Sequence, residues 1–78
     1  MMTKLDHGDK IIVRCPKSVK CNYLTGGKEY VGTVSSVWED GQVFFSFISD
    51  TRTEDFTRLK GAPHLNGLNW QYVRRVKS

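Results

Sequence analysis

Residues 30–49 read YVGTVSSVWEDGQVFFSFIS, and this stretch decides the fold class. Two runs rich in β-branched and aromatic residues flank Glu39-Asp40-Gly41-Gln42. An Asp-Gly pair between such runs is a strong hairpin signal, because the favoured tight turn needs positive φ and these residues tolerate it. The first run, residues 30–38, contains Gly32, which predicts a bulge or a sharp bend. The second, residues 43–49, carries Phe44, Phe45, Phe47 and Ile48. Apolar side chains at both parities predict a central strand, or one whose second face meets a partner.

The same reading extends outward. Upstream, residues 10–15 (KIIVRC) form a β-branched strand stopped by Pro16. Residues 17–28 read as a polar, exposed loop anchored by Tyr23 and Leu24, with Gly26-Gly27 freeing the backbone for a turn. Downstream, residues 50–53 turn the chain into a short fourth strand, 54–59, with Phe56 as its expected inward residue. Residues 61–69 (GAPHLNGLN) form an irregular loop with room for one 3₁₀ turn. The fifth strand, 70–76, alternates Trp70, Tyr72, Arg74 and Val76 on one face with Gln71, Val73 and Arg75 on the other. No stretch of ten or more residues keeps a helical apolar period free of Gly and Pro. Five short strands with tight turns predict one all-β domain over residues 1–78, a small five-stranded barrel that protects its edges by curling. Residues 1–9 are expected to be a flexible lead-in. A barrel also brings the first and last strands together.

Composition bounds the function. With 78 residues and 8.9 kDa, the chain allows one small core. The longest apolar run is Ile11-Ile12-Val13, far short of a membrane span, and MMTKLDHGDK lacks the apolar segment of a signal peptide. Two cysteines without an export signal predict reduced thiols and a cytoplasmic location. The net charge is +4, unevenly distributed: residues 1–28 balance at +4, 29–55 at −5 and 56–78 at +5. Basic ends brought together by the fold predict a positive face that attracts polyanions.

The octapeptide Tyr23-Leu24-Thr25-Gly26-Gly27-Lys28-Glu29-Tyr30, followed by the Asp-Gly hairpin and a later strand containing Asp50, resembles a family. It is similar to the small SH3-like β-barrel proteins of bacteriophages and prophages, which share a YLT-x-GK-x-Y entry into the second strand. The resemblance spans about residues 10–76. It implies an SH3-like barrel with Leu24 and Tyr30 in the core and Gly27-Lys28 in a turn. It also implies a phage or prophage accessory protein, active in the host cytoplasm.

Catalysis is not expected. Only His7 and His64 are candidates for a general base, as the histidines of the chain, and neither lies in a nucleophile, phosphate-loop or metalloprotease motif. Cys15 and Cys21 are too far apart in sequence for a zinc knuckle, so no metal or other cofactor is expected. Basic residues interleaved with aromatics are the main functional signal, because cations neutralise phosphates and rings stack on bases. The candidate nucleic-acid-binding residues are Arg14, Lys17, Lys20, Lys28, Arg58, Lys60, Trp70, Tyr72, Arg74, Arg75 and Lys77. The first expectation is therefore a non-enzymatic protein that binds RNA or DNA, alone or within a host ribonucleoprotein. The alternative is an inhibitor of a host protein, acting through Trp38, Glu39 and Asp40 at the hairpin. A structural subunit of a phage particle is a third option. Neither a membrane nor a small-molecule substrate is an expected partner.

Overall fold

Strand-forming runs separated by turn residues fold into one antiparallel sheet. The computed structural model describes residues 5–19, 21–39, 42–59 and 69–76. It contains β1 (Lys10–Arg14), β2 (Glu29–Val37), β3 (Val43–Ile48), β4 (Glu54–Arg58) and β5 (Gln71–Val76), with no helix among the described residues. The strand order is β4-β3-β2-β1-β5. The middle strands follow one another as antiparallel neighbours, and β5 returns to pair with β1, Lys10 opposite Val76. The terminal strands are thus adjacent, as a barrel requires. The ladder nevertheless stays open, and the barrel is only approximate. A bond from the Trp70 N–H to the Leu59 carbonyl (2.8 Å) links the chain after β4 to the chain before β5.

The core lies on the inner face. Ile11 and Val13 of β1, Tyr30 and Val34 of β2, and Val43, Phe45 and Phe47 of β3 pack there with Leu59 and Trp70. Leu5, Cys15, Val19 and Leu24 complete the cluster. Trp70, 4% exposed, is its hub. Its ring centroid lies 5.8 Å from Tyr30, 5.8 Å from Phe45 and 5.2 Å from Phe47, the spacing at which aromatic pairs attract. Cys15 is buried in this core and Cys21 is exposed.

Several local expectations need correction. Gly32 makes no bulge; it clears space for a ring, since a Cβ there would lie 2.6 Å from Cδ2 of Phe45. The bulge falls at Ser35, between Val34 opposite Phe45 and Ser36 opposite Phe44. Phe56 points outward and is 59% exposed, while Thr57 and Leu59 are buried. The turn length causes this. Ser49 donates its N–H to the Thr53 carbonyl across a three-residue loop, with Arg52 at φ 62°, so odd positions of β4 inherit the inward parity of Ser49. In β5 the register shifts between Tyr72 and Arg74, with Val73 as the extra residue. Arg75 therefore sits opposite inward Ile11, and Arg74 and Val76 share the outer face. Residues 5–9 are tied down as well: Leu5 is buried, and the Gly8 N–H reaches the Val34 carbonyl at 2.8 Å. The expected Asp40-Gly41 turn and most of the 61–69 loop lie outside the described residues.

Candidate functional site

The octapeptide at residues 23–30 works as a clasp. Asp50, in the turn after β3, accepts hydrogen bonds from Thr25 Oγ1 (2.6 Å), Lys28 Nζ (2.7 Å) and Tyr30 Oη (3.0 Å). The Tyr30 hydroxyl in turn accepts from the Thr25 N–H at 2.8 Å, and the Asp50 N–H donates to the Tyr23 carbonyl at 2.9 Å. Three donors stabilise the carboxylate, so Asp50 is held below its usual range, with Lys28 the largest influence. The same contact raises the Lys28 ammonium above its ordinary value. Burial is the main reason the Tyr30 phenol is pushed up. Lys28, a candidate phosphate ligand by sequence, is thereby committed to holding a loop onto the sheet.

Other basic candidates are engaged too. Arg14 forms a cross-strand ion pair with Glu29, and Arg75 reaches Asp9 at 3.4 Å. Trp70 has three rings around it and offers no open face for stacking. Tyr72 is half-buried against the same cluster. Lys17 is exposed in the loop after β1, and Arg58 is half-buried on β4. Lys20, Lys60 and Lys77 lie outside the described residues, as does Asp40 of the hairpin alternative.

The two bulges build a different surface. Before Ser35 the even positions of β2 face the core; beyond it the parity reverses, and Trp38 emerges on the outer face, 60% exposed. Its ring lies 5.5 Å from that of Phe44. In β5 the slip at Val73 sends Arg74 outward, opposite Ile12. Bulges commonly re-aim side chains in this way. The outer face therefore carries Lys10, Arg14 and Arg74 over β1 and β5. Over the other three strands it carries Val31, Phe44, Ile48 and Phe56, with Trp38 at the end of β2. One cross-strand row runs Val76, Lys10, Thr33, Ser46, Phe56. Beside Trp38 a shallow hollow is lined by Ser36, Val37 and Glu39. Sequence reasoning passed over Lys10, Phe44 and Phe56 as site residues, although the apolar residues at both parities of β3 were the clue.

Among the described residues, no group of three or more His, Cys, Asp or Glu is placed to hold a metal ion. No helix there is long and apolar enough to cross a membrane. The fold defines a class: an all-β chain of five antiparallel strands in a single open sheet. Comparison with protein-family models, curated proteins and solved structures finds no match to this chain.

Proposed function

We propose that this is a non-enzymatic binding protein that holds single-stranded nucleic acid on the outer face of its sheet. One observation carries the reading: exposed rings and cations share that wall. Trp38 and Phe56 are exposed and offer surfaces for bases, with half-buried Phe44 beside Trp38, and Lys10 and Arg74 lie strands away where a backbone can run. Base–aromatic stacking contributes about 1–3 kcal/mol per base and tolerates any sequence, while phosphate contacts supply salt-dependent affinity. The phage or prophage setting, and with it a host cytoplasm, rests on the octapeptide resemblance alone.

The test is an anisotropy titration against single-stranded RNA, single-stranded DNA and duplex DNA at low and moderate salt. Binding should favour a single strand and weaken with salt. Phe56→Ala should cost about 1–3 kcal/mol, and Arg74→Ala should reduce the salt slope by about one. Absence of binding at low salt overturns this reading.

The aliphatic part of the same wall favours a second reading. Val31 and Ile48 are exposed and have no π-face, as at a protein interface. Such a partner would be lost with Trp38→Ala or Ile48→Ser and would respond little to salt or to Arg74→Ala.

A further inference from the structure

The outer face presents its chemistry in a fixed order across the strands. On the row through Phe56, the exposed ring of β4 is followed by half-buried Ser46 of β3, then Thr33 of β2, then exposed Lys10 of β1. The Lys10 ammonium reaches back across the sheet and donates to Thr33 Oγ1 at 3.4 Å. It therefore stands two strand spacings from Phe56, about 10 Å, with Ser46 between them. A neighbouring row, two residues or about 7 Å along β3, begins alike. There the Phe44 ring faces half-buried Ser36 of β2, which also lines the hollow beside Trp38. Exposed Arg74 on β5, opposite Ile12, adds a second cation on the side of Lys10. Ring, hydroxyl and cation is also the order of base, sugar and phosphate in a nucleotide.

Resting on the single-strand reading above, we propose that the ligand of this face is RNA, its ribose 2′-hydroxyls hydrogen-bonded by Ser46 and Ser36. A base stacked on Phe56 lays its sugar over Ser46 and turns its phosphate toward the Lys10 ammonium, which Thr33 steadies. The next base, on Phe44 beside Trp38, brings its sugar to Ser36. A serine hydroxyl both donates and accepts, as a 2′-hydroxyl does, so each can serve the other. Deoxyribose presents only carbon and hydrogen at that position. A DNA strand would displace water from the same serines without replacing the lost hydrogen bonds, and a covered polar group without a partner costs free energy. The discrimination lies in the sugar and not in the base, because aromatic rings stack on any base.

Anisotropy titrations of the wild-type chain at low salt should compare an oligouridylate with its 2′-deoxy and 2′-O-methyl counterparts, which share base and backbone charge. The ribose strand should bind roughly 2- to 10-fold more tightly than the deoxy strand for each hydroxyl contact made. The 2′-O-methyl strand, which has lost the donor, should bind no better than the deoxy strand. Ser46→Ala and Ser36→Ala should each lower affinity for the ribose strand, and together bring it to the deoxy level, while the deoxy strand is unaffected. Phe56→Ala should weaken both strands and preserve their ratio. Equal binding of ribose and deoxy strands overturns the RNA assignment and leaves the single-strand reading standing, whereas binding of neither overturns both. A ribose preference that survives 2′-O-methylation and the serine changes also overturns the assignment, since it would come from sugar pucker and not from these hydroxyls.

Discussion

Gly32 shows how a single missing side chain shapes this core. Its Cβ would lie 2.6 Å from Cδ2 of Phe45, 3.2 Å from Cγ of the same ring and 3.4 Å from Ile11. Phe45 is fully buried among Phe47 and Trp70, so the ring has nowhere to retreat. Gly32→Ala should lower stability by about 1–3 kcal/mol, although alanine suits a strand better than glycine. Urea denaturation reads this directly, and an unchanged midpoint would mean that the ring can shift. Asp50 acts through charge instead. Its folded carboxyl binds protons less readily than the ordinary value of 3.8, chiefly because of Lys28. The unfolded chain therefore takes up protons first as pH falls. The clasp's contribution is complete above the ordinary carboxyl range and disappears as pH drops through the lower folded value. Lys28 has the opposite sign and matters only at alkaline pH. Stability of the wild type should fall more steeply than that of Asp50→Asn in the acid range. Parallel pH profiles would deny the carboxylate a net role.

At the scale of elements, bulges and turns decide which side each residue takes. Trp38 and Trp70 make the contrast measurable, because one follows the bulge of β2 and the other sits in the core. Trp70→Phe leaves only the exposed indole, whose fluorescence should be red-shifted and readily quenched by acrylamide. Trp38→Phe leaves the buried one, blue-shifted and protected. Similar quenching in the two variants would contradict the reversal at Ser35. The strands themselves were legible in the sequence, because β-branched and aromatic runs between Gly, Pro and Asp mark them within about a residue. The faces were less so. A bulge shifts the two-residue period by one without altering composition, and neither Ser35 nor Val73 announces it. In EDFTRL, hydrophobicity points Phe56 inward, but a three-residue turn sets the parity, and Leu59 shares its side with Thr57. The site suffered likewise. Charge mapping located the basic ends and their pairing through β1 and β5. It could not show that Arg14, Lys28 and Arg75 meet Glu29, Asp50 and Asp9, carboxylates distant along the chain.

At the scale of the whole molecule, one sheet serves two purposes. Its inner face holds nearly all the large buried side chains, and its outer face is left for contact. The first and last strands lie side by side, with β5 flanking β1 at one edge of the open sheet. The cysteines record this division. Cys15 lies within the core, and burial pushes its thiol up to about 11, whereas Cys21 stands in solvent. A native sample treated with an aromatic disulfide should titrate one sulfhydryl at once. The second should become reactive only when the sheet opens, at a rate equal to opening when reagent is abundant. Two immediate equivalents would show Cys15 to be accessible. The unaltered chain thus carries one handle for attaching a fluorophore without mutagenesis, and an internal stopwatch for its own unfolding.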